Sequence, residues 1–372
     1  MDDEAQNGQE KMFLLRPAEL VVTHDLDTGT AKQIGAAVWR LQQVVSEPDP
    51  EKALILSALC RDQLGRLDCK ELSPNFQTGS QLEAKLALEM DHYMQAFHVT
   101  SATPIQVQLA SIHSAFETFL QLTGKYGFDE EQGRQLQTGL QTYAALLGRA
   151  FDITDSIVAD EEQSTSFISE PVAEKDEDPL WVWKRGHWVF FVVIQGLIVC
   201  MHRLKHCVAD GDGAGTRIEL EAATDLMWAA GAAMNLAANF SKQAYNTVVR
   251  PTMVLDHADA LVKVSSLSGL MSWDHDYLVE VLWKKELAPI FKDLPAELQE
   301  VQQRFGMAYR EGLAAGHNAI CEEFEGRNTA SVYRPQSNAL EFLKGLERKR
   351  LRHIDPHKKT GSRSDADPTH SA

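Results

Sequence analysis

Apolar residues recur at intervals of three and four along almost the whole chain, which is the spacing of amphipathic α-helices. Strictly alternating apolar and polar runs, which would indicate β-strands, are hard to find. The apolar spacing predicts helices at 31–46, 51–64, 79–98, 104–124, 129–149, 180–208, 217–244, 274–291, 296–325 and 336–352. We therefore predict an all-α protein built as a multi-helix bundle.

The most apolar run extends over 188–201 and covers 14 residues, among them Gln195 and Gly196. A membrane-spanning helix needs about 20 consecutive apolar residues, so we interpret this run as a buried core helix. The first five residues are mostly acidic and lack the basic and apolar regions of a signal peptide. We therefore expect a cytoplasmic protein without a membrane partner.

Changes in composition divide the chain into four predicted parts. Residues 1–150 form an N-terminal helical part, and 151–180 form an acidic connector with ten acidic side chains against a single lysine. Residues 181–352 form a second helical core. The polar residues 353–372 are expected to be a disordered tail.

Charge and cysteine content narrow the possible partners. The formal net charge of −17 argues against nucleic acid as a partner. Five scattered cysteines, without paired spacing, argue against a disulfide framework and indicate a reducing compartment. The glycine-rich segment 211–215 lacks the lysine of a nucleotide-binding loop and follows a predicted helix, so we interpret it as a turn.

His317 and Cys321 are four residues apart in a predicted helix, so their side chains lie on one face, one turn apart. There an imidazole can bind a metal while the thiol reaches whatever surrounds that metal. His275, in the preceding predicted helix, can face this pair from that neighbouring element. Two histidines and one thiol suit a haem with two axial imidazoles and a single thioether. A buried histidine beside an inert buried thiol gives the same spacing, so spacing alone leaves both interpretations open.

The segment Trp183-Lys-Arg-Gly-His187 begins the apolar helix. In a functional interpretation, Arg185 or His187 lies at the mouth of a pocket, where the histidine can exchange a proton with a substrate. A polar helix start with aromatic side chains at the surface gives the same pattern. Both interpretations stay open.

Two weaker patterns suggest a metal site without haem. His202 and His206 form an i, i+4 pair, but Arg203 and Lys205 beside them are typical of a solvated helix end. The segment Glu89-Met-Asp-His92 resembles half of a di-iron carboxylate site, which needs a second copy that does not appear. A non-haem metal oxygenase that uses carboxylates with His92 or His206 therefore remains an alternative.

Four sequence blocks follow one another in 181–352. They are Arg185-Gly-His187, then Tyr245-Asn246 with Arg250-Pro251-Thr252, then Ser268-Gly269-Leu270 leading to Asp274-His275, and finally His317-x-x-x-Cys321. In this order the blocks resemble the haem-dependent 3-methyl-L-tyrosine peroxygenases of saframycin- and safracin-type antibiotic pathways. Two positions depart from the family pattern: Trp188 replaces a second histidine, and the residues from Met253 onward replace a proline-rich stretch.

The resemblance implies a helical bundle that encloses a haem pocket. It implies that His275 and His317 ligate the haem iron and that Cys321 forms a single thioether to the macrocycle. The expected enzyme uses hydrogen peroxide to hydroxylate 3-methyl-L-tyrosine ortho to its phenol, which gives 3-hydroxy-5-methyl-L-tyrosine. Its partners are therefore a small amino acid and peroxide.

A peroxide-activating haem needs an open iron position and a base that carries a proton between the two peroxide oxygens. We predict that His317, one turn from the thioether, stays bound while His275 leaves the iron and serves as this base. His187 is the competing candidate for the same role.

The amino-acid substrate needs a carboxylate partner, for which a guanidinium is well suited. Arg185 and Arg250 are the candidates, and Tyr245 and Asn246 are available for the phenol or the ammonium group. A non-catalytic haem carrier or sensor with two axial histidines is the second alternative, and it predicts no product from peroxide.

Overall fold

The computed structural model describes a set of ranges that together cover most of the chain. These ranges are 12–20, 22, 28–47, 49–64, 69–71, 81–101, 103–150, 176–253, 272–326 and 338–356. Most of the predicted acidic connector, the Ser268-Gly269-Leu270 block and nearly all of the predicted tail lie outside the described residues.

Helices make up nearly all of the described residues. Seven of them are α1 Thr28–Ser46, α2 Pro50–Leu64, α3 Gln81–Met94, α4 Pro104–Tyr126, α5 Glu130–Ala150, α6 Pro179–Ala209 and α7 Gly213–Ala237. Three more change from α- to π-helical pitch: α8 (242–252, π-helical over Tyr245–Val249), α9 (273–292, π-helical over Tyr277–Leu287) and α10 (296–325, π-helical over Ala308–Ala314). The last described helix is α11, Ala339–Ile354. The predicted all-α bundle is confirmed.

The observed helices differ from the predicted ones at two places. The helix predicted over 79–98 ends at Met94, where Gln95 adopts a left-handed backbone conformation with φ 56°. The helix predicted over 217–244 is interrupted after Ala237, and α8 begins with Ser241 as its N-cap, whose side chain accepts a hydrogen bond from the backbone N–H of Ala244. Apolar spacing continues across both breaks, so it could not reveal either.

A small sheet of three strands accompanies the helices. The strands are β1 Met12–Leu15, β2 Cys69–Glu71 and β3 Ala96–Ser101. The central strand β3 pairs in parallel with β1 and antiparallel with β2. Strands β1 and β3 are largely buried on both faces, so they lack the alternating pattern that would have predicted them.

Helix α6 forms the centre of the bundle and packs against α4, α5 and α7. It begins at an Asp178 N-cap followed by Pro179, a combination that stabilises a helix start. By length and composition α6 could cross a membrane, but 89% of its most apolar window is buried inside the protein. The prediction of a buried core helix is confirmed.

One hydrophobic core extends through the described part of the chain, from Met12 on β1 to Ile354 on α11. Helices α4 and α5 of the predicted N-terminal part pack directly on α6 and α7 of the second half. At the contact of α6 with α7, Gly186 lies so close to Ala237 that a Cβ would overlap its backbone. This close approach brings the first turns of α6, including His187, against the end of α7.

Candidate functional site

Of the four helices that carry the predicted site residues, three become π-helical beside those residues, and α6 does not. In α8 the π-helical stretch begins at Tyr245, in α9 it begins two residues after His275, and in α10 it ends three residues before His317. π-helical turns are rare and often occur at functional sites. Their repeated occurrence here favours a functional site among these three helices.

One face of α10 carries His317, Cys321, Phe324 and Glu325, which follow one another at intervals of four, three and one. Cys321 is partly buried. Burial raises the pKa of its thiol, while the positive charge of Arg250 opposes this shift. At neutral pH the side chain is therefore a thiol that lies one helical turn from an imidazole.

Helix α8 is joined to this face of α10 by polar and aromatic contacts. The Tyr245 hydroxyl donates to Glu325 Oε1 at 2.7 Å, and Arg250 forms an ion pair with Glu325. The rings of Tyr245 and Phe324 are stacked, with centroids 4.7 Å apart and an interplanar angle of 18°. Burial raises the pKa of Tyr245 to about 12, with Arg250 opposing and Cys321 adding to the shift. The structure therefore brings Tyr245, Arg250 and Cys321 together.

His187 on α6 is buried and neutral, with an exposure of only 2%. Its Nδ1 lies 2.8 Å from the Trp183 carbonyl oxygen, and a carbonyl only accepts, so Nδ1 carries the proton and Nε2 keeps a lone pair. Burial lowers the pKa of His187 to about 4, the carbonyl contact opposes this shift, and the charge of His317 adds to it. The two imidazoles therefore lie close enough to influence each other.

His275 lies in the first turn of α9, where its backbone N–H donates to the N-cap Ser272 Oγ at 3.3 Å. Its ring Nε2 lies 2.8 Å from Arg350 Nη2. Because a guanidinium only donates, Nε2 of His275 must be the acceptor and carry the lone pair. Burial and then the charge of Arg350 lower the pKa of His317 to about 4. Arg350 on α11 is therefore a shared neighbour of both predicted iron ligands.

A buried charged cluster fixes the residue that precedes His275. His98 on β3 lies between two carboxylates, with Nδ1 2.9 Å from Asp91 Oδ1 and Nε2 2.7 Å from Asp274 Oδ2. Burial by itself would lower the pKa of His98, but Asp91 and Asp274 outweigh it and raise the pKa to about 10. Gln195 on α6 also donates to Asp274, at 3.1 Å. The start of α9 is thus anchored to the N-terminal part.

Sequence reasoning missed three side chains of this region, namely His98, Arg350 and Tyr93. Arg350 lies in the basic last turns of α11, a pattern that is ordinary at the C-terminus of a helix. The Tyr93 hydroxyl of α3 lies 2.9 Å from Thr252 Oγ1, and Lys184 Nζ lies 5.0 Å from the centre of its ring. None of the three belongs to a short motif, so only the fold could place them.

Two of the weaker substrate candidates have other surroundings. Arg185 donates to the sulfur of Met12 on β1, and it points to a different side of α6 from His187, two residues away. Asn246 is exposed, and its side-chain amide donates to the Lys242 carbonyl at 2.9 Å. The structure therefore does not bring these two side chains to His317 and Cys321 by any contact that it shows.

The residues named for a non-haem metal site are dispersed. His202 Nε2 lies 3.1 Å from the Tyr277 hydroxyl, and His92 and His206 are exposed. In the part of the chain that the structure describes, no group of three or more His, Cys, Asp or Glu side chains is arranged to hold a metal ion. The structure thus offers this alternative no ready ligand set there.

The fold and the site together define a helical protein in which His275 and His317 share Arg350 as a neighbour, with Cys321 one helical turn from His317. The chain belongs to the SfmD 3-methyl-L-tyrosine peroxygenase family, whose model matches residues 16–301. The resemblance predicted from the sequence blocks is confirmed. The match includes His187 and His275 but ends before His317 and Cys321, whose roles are therefore argued from the geometry.

A known sequence and a solved structure are similar to this chain. A 3-methyl-L-tyrosine peroxygenase of Streptomyces lavendulae is 30% identical over 165 residues, which is 44% of this chain and only 42% of the relative. A crystal structure of reduced SfmD, obtained by soaking with sodium hydrosulfite, has a TM-score of 0.62 and 19% identity, and the match covers 83% of this chain and 96% of that one. At this identity the structural likeness shows the fold alone.

Proposed function

We propose that the chain is a haem-dependent peroxygenase that hydroxylates 3-methyl-L-tyrosine ortho to its phenol, with hydrogen peroxide as the oxidant and 3-hydroxy-5-methyl-L-tyrosine as the product. Family membership supports the reaction class. One structural observation carries the cofactor: the Arg350 cation lies 2.8 Å from the lone pair of His275 and also lowers the pKa of His317. The two imidazoles that are predicted to bind the iron thus share one neighbouring side chain, Arg350.

The described residues fit a haem. His317 has a pKa of about 4 and is neutral at physiological pH, which is the form that binds iron. His275 is in the form that keeps a lone pair on Nε2. Cys321 lies one turn from His317, and the stacked rings of Tyr245 and Phe324 offer an aromatic surface beside it. His275 and His317 would hold the iron, and Cys321 would bond to the macrocycle.

A bound haem would supply the iron that activates peroxide for transfer of an oxygen atom to the phenol ring. The chain's own contribution is to hold and move protons. His187 keeps its Nδ1 proton on the Trp183 carbonyl and presents a basic Nε2, while His275 can accept a proton at its own Nε2. We assign the proton transfer to His275, with His187 as the competing base. If a His275→Ala protein retains full turnover, the role passes to His187.

The thioether can be tested on the full chain by covalent retention of haem. We expect the wild-type protein to keep its haem in acidified organic solvent and Cys321→Ser to release it, because the bond from Sγ to the macrocycle cannot form. Cys207→Ser is the matched control, since Cys207 is also a partly buried free thiol with a raised pKa. Retention of haem by Cys321→Ser would contradict the assignment.

The reaction itself is tested by adding peroxide and 3-methyl-L-tyrosine to the purified protein and analysing the products by mass spectrometry. We expect a product that is heavier by one oxygen atom, with the oxygen derived from isotopically labelled peroxide. A haem absorption band without this product would favour a carrier or sensor, and a colourless protein would refute the haem.

The cysteines whose side chains the structure describes are free, which supports the proposed reducing, cytoplasmic setting.

A further inference from the structure

Several other partly buried arginines in the described chain pair with carboxylates, whereas Arg350 contacts an imidazole. Arg250 pairs with Glu325, and Arg203 Nε donates to Glu219 Oε1 at 2.8 Å. Arg350 instead donates Nη2 to an imidazole, and its Nε is buried without a hydrogen-bond partner. Among the described residues, no acidic side chain lies within ion-pair distance of this guanidinium.

A guanidinium in this position is electrostatically incomplete. Buried or half-buried charges are costly unless an opposite charge compensates them, and a neutral imidazole does not. Arg350 also acts on Tyr309, a buried residue in the π-helical stretch of α10: its charge and a side-chain hydrogen bond oppose the rise that burial causes in the pKa of the hydroxyl, while Glu347 adds to that rise. The surroundings of Arg350 therefore favour the entry of an anion.

A carboxylate matches this anion best. The planar fork of a guanidinium binds a carboxylate through two parallel hydrogen bonds, and the unused Nε of Arg350 supplies one of the donors. The two arginines that the sequence suggested for this task have other contacts, since Arg250 pairs with Glu325 and Arg185 donates to the sulfur of Met12.

We propose that Arg350 binds a carboxylate that enters beside His275 and His317, either a propionate of a haem or the α-carboxylate of an amino acid. Because the carboxylate competes for the same guanidinium, its binding releases Nε2 of His275. In the structure, Arg350 Nη2 donates to the lone pair of that histidine. The inference rests on the proposed function for the choice of these two ligands.

Binding measurements on the full chain, without peroxide, test this inference. The variants are Arg350→Met, Arg350→Lys and, as the matched control, Arg352→Met, which alters an exposed arginine two residues along the same helix. One pair of probes is haem and haem dimethyl ester, titrated into protein produced under haem limitation. The other pair is 3-methyl-L-tyrosine and its amide, measured by calorimetry on the protein with and without haem.

The pattern of affinities separates the two sources of the carboxylate. If Arg350 binds a propionate, Arg350→Met weakens haem binding about tenfold or more and leaves the dimethyl ester unaffected. If Arg350 binds the carboxylate of the substrate, the same variant lowers the affinity for 3-methyl-L-tyrosine by a similar factor and leaves the affinity for its amide unchanged. In both cases Arg350→Lys restores part of the affinity, because it keeps the charge without the fork.

The inference is overturned if, in both pairs of probes, the wild-type protein binds the free acid and its ester or amide with equal affinity. It is also overturned if Arg350→Met has the same affinities as Arg352→Met. Circular dichroism of each variant shows whether it is folded, and Arg350→Lys gives the decision if Arg350→Met is not. In one outcome, Arg350→Met loses the discrimination between the two probes of a pair while the wild-type protein forms no hydroxylated product. This pair of results would support the carboxylate site and contradict the proposed function. The two failures are therefore distinguishable.

Discussion

His98 and His187 are equally buried, each with an exposure of 2%, yet their protonation differs completely. Two aspartates raise the pKa of His98 to about 10, whereas His187, with a backbone carbonyl as its partner, has a pKa lowered to about 4. Burial favours the neutral form at both sites, so the partners decide the outcome. The charged histidine anchors the helix that carries His275, and the neutral one lies close to His317.

The two histidines lie in two parts of the bundle that contribute differently to the site. The N-terminal part supplies Asp91 and His98, which hold Asp274 and therefore the first turn of α9. The second half supplies the imidazoles and the thiol. A buried ion cluster is strongly directional, because each charge that lacks a partner is costly. It is therefore well suited to fixing a short helical turn whose orientation must be defined.

Among three tests of this comparison, removal of His98 should change the stability of the folded protein most. His98→Ala leaves Asp91 and Asp274 buried without their shared cation, and we expect a loss of about 3–5 kcal/mol in the free energy of unfolding. Urea unfolding at neutral pH measures it. His202→Ala is the control, since His202 is half-buried with the Tyr277 hydroxyl as its side-chain partner, and should cost less than about 1.5 kcal/mol. Equal losses would show that the cluster contributes no special stability.

Alkaline pH should have the next largest effect, because it removes the proton of His98. Its folded pKa of about 10 lies above the usual value of 6.5, so its stabilising contribution is complete below pH 6.5 and is lost as pH rises towards 10. The stability difference between the wild type and His98→Gln should therefore shrink over this range. Unfolding curves at a series of pH values test it, and a constant difference would mean that His98 is not charged in the folded protein.

A shift to acidic pH should have the smallest of the three effects on stability. It acts through His187, whose pKa is shifted in the opposite direction to that of His98. Its folded pKa of about 4 lies below 6.5, so the unfolded chain takes up a proton that the folded chain refuses. Stability should fall between pH 6.5 and 4, and His187→Gln should fall less steeply in the haem-free protein. Parallel curves for the two proteins would indicate that His187 is accessible to solvent and titrates normally.

The apolar spacing predicted the helices closely, because a helix that packs on a core must present apolar residues on one face. It failed at β1 and β3, whose residues are buried on both faces and leave no alternation. It also failed at Gln95, which has a positive φ, and at the break between Ala237 and the N-cap Ser241, although the apolar spacing continues across both.

For the site, the local sequence determined what one helical turn can determine. The spacing of His317 and Cys321 puts both on one face of α10, and no other part of the fold is needed for that. The ordered blocks also indicated the family, which the comparison with known proteins confirms. The roles of the individual residues stay predictions.

Only the tertiary structure decided which distant side chains meet at these residues. Arg350 reaches His275 across 75 positions of sequence, and His98 reaches Asp274 across 176. Charges interact through space according to distance and burial, and neither quantity follows from the local order of residues. The same imidazole group is therefore a cation on β3 and a neutral base on α6, and the sequence around each histidine does not distinguish them.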